Sequence, residues 1–309
     1  MSYLLIKNAA QLVTPEGFSA RCGDKMSFLR ILSDAAVLIE DETILFVGTT
    51  EETEAYVAEH LQPGDKITRY DASGNTVLPG FVDSHTHFIF GGYREHEFNL
   101  RLQGSSYMEI MKAGGGIAYS IAETSAASED ELYQLGWHRL QRMLQLGITT
   151  VEGKTGYGED TKTEDKMLRV MERLDRDHPI DIAKTYMGAH AVPKNYPGGA
   201  SAYVDYLIAE GLPMSAGRAD FCDVFCEKDV FELQDSERLL LAAREQGFKL
   251  KLHADEIVQL GGAALAAKLQ ATSADHLLKS SDADLLAMRD AGTIATLLPC
   301  TAFSLKEDY

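Results

Sequence analysis

From Thr76 onward, short apolar runs alternate with longer amphipathic segments, and this rhythm constrains the fold more than any other feature of the sequence. The apolar runs predict seven strands, at Val77–Asp83, Ile148–Glu152, Ile182–Met187, Phe221–Phe225, Lys249–His253, Thr272–Asp275 and Ile294–Leu298. The segments between them predict six helices, at Ser128–Leu146, Thr163–Arg176, Ser201–Glu210, Asp235–Gln246, Gln259–Lys268 and Asp282–Ala291. This pattern is typical of parallel βα units, in an open doubly wound sheet or a (β/α)8 barrel. Because no GxGxxG follows the first strand, a dinucleotide-binding sheet is disfavoured.

The strand count favours a (β/α)8 TIM-type barrel of which seven strands are present and the eighth is missing from this sequence. Seven units occupy about the length that seven-eighths of a typical barrel needs. An unclosed barrel keeps unpaired backbone at its edges. The sequence after the seventh strand shows no further helix or strand pattern. We therefore expect the natural protein to be longer than these residues.

The residues before the barrel read differently, as short strands with a single helix. Strands are predicted at Tyr3–Lys7, Ala35–Ile39, Thr43–Val47 and Lys66–Tyr70, with Asp41-Glu42 turning a hairpin. A short helix is predicted at Glu51–His60, with Thr50 as its cap. We expect residues 1–75 to form a small β-rich domain and residues 76–309 to form the barrel.

Charge and composition narrow the classes of function. The chain has 29 Lys+Arg against 47 Asp+Glu, a formal net charge of −18. Such a charge repels nucleic acids and anionic membranes, so neither is an expected partner, and an anionic substrate would need a local cation. No apolar run is long enough to span a membrane, no export signal is visible, and the four cysteines form no CxxC zinc pattern. We expect a cytoplasmic enzyme with reduced thiols.

The strongest local signal is the run from Val77 to His87, in which an apolar strand leads into Asp83-Ser84-His85-Thr86-His87. Residues two apart on a strand face the same side, so the rings of His85 and His87 lie together. Two imidazoles at a strand's carboxyl end suit a divalent metal such as zinc or iron.

Further candidates follow the later strands. His190, His253 and His276 each stand at a predicted strand end, and in a barrel these ends open on one face. Glu256, three residues after His253, has two interpretations: a proton carrier beside a metal-activated water, or an acid at a helix start, a role that Asp255 also fits.

Two segments point to ligand binding. The glycines of Gly153-Lys154-Thr155-Gly156-Tyr157-Gly158 lack Walker spacing and are better suited to bend a loop over a ligand. Arg94 is a candidate carboxylate clamp, or else a solvated arginine beside Glu95 and Glu97.

These motifs together resemble a known family. Leu78 to His87 resembles the first-strand signature of the metal-dependent amidohydrolases. Within them, the likeness narrows to the imidazolonepropionase family through further motifs: Glu152 to Gly158, Gly188-Ala189-His190, His253-Ala254-Asp255-Glu256, Ser273-Ala274-Asp275-His276, and Leu298-Pro299 with Thr301 to Leu305. The likeness covers essentially the whole chain.

The resemblance implies hydrolysis of the cyclic amide of 4-imidazolone-5-propanoate to N-formimidoyl-L-glutamate, in histidine degradation. It assigns three sets of residues: metal ligands His85, His87 and His253; proton carriers Glu256 and His276; substrate-binding residues Arg94, Tyr157 and His190. It further implies one divalent metal, zinc or iron, a small β-sandwich-like domain and a homodimer. The family's fourth ligand, an aspartate after the eighth strand, has no counterpart in these residues.

Two alternatives remain at this point. One is another mononuclear cyclic amidohydrolase or deaminase. The predicted fourth strand, Phe221–Phe225, contains no lysine of the kind that two-metal members carboxylate, which favours a single metal. The other is a catalytically inactive fragment, which the missing strand and missing aspartate motivate.

Overall fold

The structure is a computed structural model that describes residues 2–15, 17, 21–104 and 115–307. The chain divides into two compact units, Met1–Gly80 and Phe81–Tyr309. No helix within the described ranges is both long and apolar enough to cross a membrane.

The first unit is one mixed sheet built around a long strand. Its strands are β1 (Tyr3–Thr14), β2 (Arg30–Glu40), β3 (Thr43–Thr49), β4 (Ile67–Asp71) and β5 (Thr76–Val77). They lie in the order β3-β2-β1-β4, and β5 also pairs with β1. β2 pairs antiparallel with both β1 and β3, whereas β4 and β5 run parallel to β1. The hairpin predicted at Asp41 is confirmed, with a left-handed φ of 48° at that residue.

A short 3-10 helix covers Gly23–Ser27 in this unit, and its predicted α-helix, Thr50–His60, begins one residue before its predicted start. Its N-cap is Thr49, whose hydroxyl accepts the Glu52 N–H at 3.2 Å, while Glu52 Oε2 accepts the Thr49 N–H at 2.8 Å. The prediction of Thr50 as the cap is wrong. Its hydroxyl instead donates to Asp34 Oδ1 at 3.0 Å. Two adjacent threonines offer the same capping group, so composition alone does not separate them.

The second unit contains the seven predicted strands as one parallel sheet. They are β6 (Phe81–Thr86), β7 (Ile148–Lys154), β8 (Asp181–Ala189), β9 (Phe221–Cys226), β10 (Lys249–Ala254), β11 (Ser273–His276) and β12 (Ile294–Thr296). Each strand pairs in parallel with the next one along the chain, from β6 to β12. This is the strand order of a barrel, and it places all seven carboxyl ends at one edge.

Helices connect these strands, as the sequence predicts. The predicted helices appear as Glu129–Gln145, Thr161–Asp177, Gly199–Tyr206 with a π-helical turn at Leu207–Gly211, Leu233–Glu245, Gly262–Lys268 and Asp282–Ala291. Within the described ranges, four further helices of this unit are Glu95–Leu102, Ile117–Ala126, Leu212–Ser215 and Pro299–Leu305. The last of these corrects the expectation that no helix follows the seventh strand. It is short and begins with proline, a favourable first helical residue that also resembles a turn signal.

The core of this unit lies between the sheet and its helices. Fully buried side chains on the helices, such as Leu140 and Leu168, pack in one cluster with strand residues such as Val151 and Leu252. The strands are buried on both faces. Side chains that point outward to the helices are apolar, and the residues between them along each strand face the barrel interior. Within the described ranges, β6 and β12 each have one neighbour in the sheet.

Candidate active site

Three histidines converge at the carboxyl end of the barrel sheet. His85 lies near the end of β6, His87 one residue beyond that strand, and His253 on β10. One ring nitrogen of each lies within 4.8 Å of those of the others. Nε2 of His87 is 3.4 Å from Nε2 of His253. Two nitrogens bound to one tetrahedral zinc at about 2.0–2.1 Å would lie about 3.3–3.4 Å apart. The spacing of these rings therefore fits a divalent cation.

The chemical state of the rings fits it too. Burial, above all, lowers the pKa of His87 and His253 well below the ordinary 6.5, so both are neutral and carry a nitrogen lone pair. Nδ1 of His87 is buried without a hydrogen-bond partner among the described residues. Nδ1 of His253 is 3.1 Å from Oδ2 of Asp223, but outside hydrogen-bonding geometry. Metals bind the neutral imidazole, so this donor set suits a cation.

A buried ion cluster, which we define as Glu152, Lys154, Asp223, Lys251 and Asp275, adjoins the histidines. Lys154 Nζ lies 2.7 Å from Asp223 Oδ2, 2.8 Å from Glu152 Oε1 and 3.6 Å from Asp275 Oδ2. Lys251 Nζ lies 2.6 Å from Glu152 Oε2 and 3.8 Å from Asp275 Oδ2. Two ammonium groups thus face three carboxylates in a part of the barrel from which water is almost excluded.

Mutual attraction keeps the central groups of this cluster charged. Burial alone would lower the pKa of Lys154, but the carboxylates of Asp223, Glu152 and Asp275 outweigh it and raise that pKa. Burial would raise the pKa of Asp223 and of Asp275. The nearby ammonium groups, together with the His85 hydrogen bond to Asp275, outweigh that and lower both. Each charge compensates another, so removal of any one of them would leave a buried charge without its partner.

Asp275 joins the cluster to the histidines. Its Oδ2 lies 2.6 Å from Nδ1 of His85. An ionised carboxylate only accepts hydrogen bonds, so Nδ1 of His85 donates a hydrogen bond to Asp275 and Nε2 is the nitrogen left to face a metal. A carboxylate that fixes the tautomer of a histidine in this way is a common companion of metal-binding imidazoles.

Glu256 and His276 lie beside the three rings. Oε1 of Glu256 is 3.4 Å from Nδ1 of His276, whose ring centroid is 5.1 Å from that of His253. Burial, reinforced by Glu227 and Glu307, raises the pKa of Glu256 to about 7. Burial lowers the pKa of His276 to about 4. The structure therefore brings together a carboxyl group that exchanges protons near neutrality and a neutral imidazole.

The backbone around these two residues is unusual. His276 has a φ of 76° and Asp255 a φ of 51°, in the left-handed region that side chains rarely occupy. Asp255 turns away from the histidines, and its Oδ1 accepts the N–H groups of Leu260, Gly261 and Gly262 at 2.9 to 3.0 Å. Asp255 is thus the acid at the helix start, which leaves the Glu256 side chain available to the site.

Tyr157 and His190 form the side of the site next to His87. The His190 ring stacks on that of His87, with centroids 4.7 Å apart, and the Tyr157 ring centroid is 5.6 Å from that of His87. Burial lowers the pKa of His190 to about 4. The glycine-rich segment, predicted to bend over a ligand, contributes Tyr157 to this side of the site, whereas its Lys154 points elsewhere. That lysine ends β7 with its side chain fully buried.

Arg94 precedes the helix Glu95–Leu102 as its N-cap residue. The ion pair described for it is with Glu97, at 4.0 Å from guanidinium nitrogen to Oε2. Its side chain is about one-third exposed, at 34%. Among the predicted site residues, Arg94 is the one for which the structure describes no contact with the histidines.

Sequence reasoning missed the buried ion cluster, although a signal for it exists. Glu152 and Lys154 are two apart on β7, and so are Lys251 and His253 on β10. Charged residues at every second position of an otherwise apolar strand mark the face turned to the barrel interior. This alternation was overlooked because Glu152 and Lys154 also belong to the glycine-rich motif, and His253 to a histidine motif.

No family model matches the sequence. The chain is 52% identical over 309 residues to the imidazolonepropionase of Clostridium tetani, covering 99% of this chain and 72% of that protein. It is 53% identical over 312 residues to the imidazolonepropionase of Parabacteroides distasonis, covering 100% of this chain and 73% of that protein.

Solved structures with the same fold are more distant in sequence. A triazine hydrolase from Arthobacter aurescens matches with a TM-score of 0.64 at 16% identity, over 98% of this chain and 66% of its own. A guanine deaminase from C. acetobutylicum, solved with guanine bound, matches with a TM-score of 0.63 at 12% identity, over 99% of this chain and 70% of its own. At such identities the likeness supports the fold alone.

Proposed function

Because the chain belongs to the imidazolonepropionase family, we infer that it hydrolyses the cyclic amide of 4-imidazolone-5-propanoate to N-formimidoyl-L-glutamate in histidine degradation. The observation that carries this inference is the 52 and 53% identity to two imidazolonepropionases over essentially the whole chain.

We propose that His85, His87 and His253 hold one divalent metal ion, zinc or iron. When bound, such an ion lowers the pKa of water and polarises a carbonyl. The proposal is supported by the neutral rings of His87 and His253, by the 3.4 Å between their Nε2 atoms, and by the tautomer that Asp275 selects in His85. Imidazole donors accept either ion.

Glu256 is the proposed proton carrier. Hydrolysis adds the oxygen of water to the ring carbonyl carbon and breaks the bond from that carbon to the ring nitrogen, which must gain a proton. A carboxyl group with a pKa of about 7 can accept the water proton and return it to this nitrogen. His276, 3.4 Å from Glu256 and neutral, orients the carboxylate and contributes a polar contact to the reacting carbonyl.

Tyr157 and His190 are the proposed binding residues for the imidazolone ring. Both rings lie next to His87, and His190 keeps Nε2 unprotonated because its Nδ1 donates to the Gly156 carbonyl at 3.0 Å. An unprotonated Nε2 accepts a hydrogen bond from a ring N–H. Arg94 is the proposed partner of the propanoate carboxylate, since a guanidinium fork pairs with a carboxylate in two places.

A different cyclic amidohydrolase or deaminase activity is not favoured. The named relatives at about 50% identity are imidazolonepropionases, whereas the triazine hydrolase and guanine deaminase are alike in fold only. The homodimer implied by the sequence resemblance stays a prediction, which light scattering of the purified chain tests.

The test of the catalytic assignment compares two isosteric variants. Glu256→Gln removes the proton carrier but not the shape of the site, and general acid–base catalysis contributes about 10²–10⁴-fold. We expect kcat to fall by that factor with metal content unchanged. Glu245→Gln, an exposed glutamate at the end of the helix Leu233–Glu245, is the matched control and should keep full activity. Full activity of Glu256→Gln would refute the role.

A further inference from the structure

Glu164 is a buried carboxylate that the proposed reaction does not use. It lies in the first turn of the helix Thr161–Asp177 and is 1% exposed. Its Oε1 accepts the backbone N–H of Gly156 at 3.0 Å and that of Gly158 at 2.7 Å. Its Oε2 has no hydrogen-bond partner among the described residues. Both backbone N–H groups that this side chain accepts thus belong to the residues that flank Tyr157, and the side chain of Thr155, which also precedes that tyrosine, is a further hydrogen-bond partner.

Only glycine fits at either side of this tyrosine. A Cβ at Gly158 would lie 2.9 Å from Oε1 and 2.8 Å from the backbone nitrogen of Glu164. A Cβ at Gly156 would lie 2.8 Å from Nδ1 of His190, and the φ of Gly156 is +110°, a conformation that other residues rarely adopt. The Gly-Tyr-Gly sequence is therefore what allows the carboxylate and the imidazole to approach the same short segment.

The same segment holds His190. The Gly156 carbonyl accepts a hydrogen bond from Nδ1 of His190 at 3.0 Å. A carbonyl oxygen cannot donate, so this contact fixes the proton on Nδ1 and leaves Nε2 as the acceptor. The orientation of the ring, stacked on His87, depends on where this carbonyl points.

From these contacts we infer that Glu164 is a positioning residue for substrate binding, which sets the tautomer and orientation of His190 and the place of Tyr157 through the backbone of Gly156 and Gly158. The chain of contacts runs from one carboxylate oxygen, through two amides, to both proposed binding side chains. This inference rests on the binding roles proposed above for Tyr157 and His190.

The experiment replaces Glu164 in the metal-loaded protein and measures kinetics together with the ring ¹⁵N shifts of His190. In Glu164→Ala we expect KM to rise about tenfold, the effect of about 1.4 kcal/mol. We expect kcat and metal per chain to stay within about twofold, since uniform binding is what is lost. The Nδ1–H signature of His190 should also disappear. Glu164→Gln keeps an oxygen acceptor and should restore both KM and the signature.

Matched variants separate this role from a general loss of stability. Glu172→Ala removes a carboxylate of the same helix that pairs with Arg218 instead, and should change neither KM nor the His190 signature. Should Glu164→Ala not fold, Glu164→Asp carries the same prediction, because its shorter side chain cannot reach both amides. A wild-type KM and an intact signature in the Ala or Asp variant would overturn the inference.

The binding roles and the positioning role can fail separately. An unchanged KM in His190→Gln would overturn the proposed binding role of that histidine. The ¹⁵N signature of His190 in Glu164→Ala does not depend on substrate, so its persistence would overturn the positioning role even if His190 binds substrate.

Discussion

Oδ2 of Asp275 lies 2.6 Å from Nδ1 of His85, and the same oxygen lies 3.6 Å from Nζ of Lys154. One carboxylate therefore connects a proposed metal ligand to the buried ion cluster. The ring of His85 is held with its Nε2 free, and the charge that holds it is compensated by an ammonium group that is itself fully buried. The proposed metal site and the charges of the barrel interior therefore share this carboxylate.

Removing the charge of Asp275 should weaken metal binding. Loss of a carboxylate that orients a metal-binding histidine typically costs about 10–100-fold in affinity. We expect Asp275→Asn to lower the affinity for zinc by that factor, measured by competition with a chelating dye. Asp290→Asn, an exposed aspartate beside Arg289, is the control and should bind as the wild type does. Equal affinities of the two variants would contradict the orienting role of Asp275.

Lys154 should be important for stability rather than for substrate binding. Lys154→Met leaves Asp223, Glu152 and Asp275 buried without their shared cation, and breaking a buried ion pair costs about 3–5 kcal/mol. We expect the free energy of unfolding in urea to fall by about that amount. Lys162→Met, at an exposed position on the helix Thr161–Asp177, should change it by about 0.5 kcal/mol at most. A stable Lys154→Met variant would show that the cluster is not interdependent.

The fold could be predicted from the sequence because the spacing of apolar residues along the chain indicates which faces of each strand and helix are buried. All seven barrel strands were found from apolar runs, and the helix Asp282–Ala291 was found to the residue. The helices Glu95–Leu102 and Ile117–Ala126 were missed, because neither carries the strong amphipathic pattern of Thr161–Asp177. Caps such as Thr49 depend on backbone angles, which composition does not specify.

The site could be predicted only in part. The spacing of His85 and His87 identified two rings that the structure brings together with His253, and strand ends identified His190 and His276. The residues that hold these rings were not found, because Asp275, Lys154 and Glu164 act through contacts between segments far apart in sequence.

The rate of hydrolysis should depend on the ionisation of Glu256. A base must be unprotonated to accept a proton, and burial raises the pKa of Glu256 to about 7. We expect kcat/KM to rise with pH and level off above about 7, whereas His276, with a pKa of about 4, stays neutral throughout. The residual kcat/KM of Glu256→Gln should not show this rise with pH. If the same rise in kcat/KM persists in the variant, the ionisation belongs to another group.

Stability should depend on pH through Glu164. Burial raises its pKa from 4.5 to about 7, so the folded state binds the proton more tightly than the unfolded chain does. The stabilisation is complete below pH 4.5 and is lost as the pH rises through about 7, a change of about 3 kcal/mol. Glu164→Gln should therefore be more stable than the wild type at pH 8 and equal to it below pH 4.5. If the free energy of unfolding of the two proteins depends on pH in the same way, Glu164 does not ionise as described.

The most direct test of the central claim is a titration of metal-free protein with zinc or iron, in which bound metal and hydrolysis of 4-imidazolone-5-propanoate are measured on the same samples. We predict that activity rises in proportion to bound metal and levels off at about one ion per chain, and that His87→Ala abolishes both tight binding and turnover. Full activity without metal, or one tightly bound ion per chain without any turnover, would contradict the account.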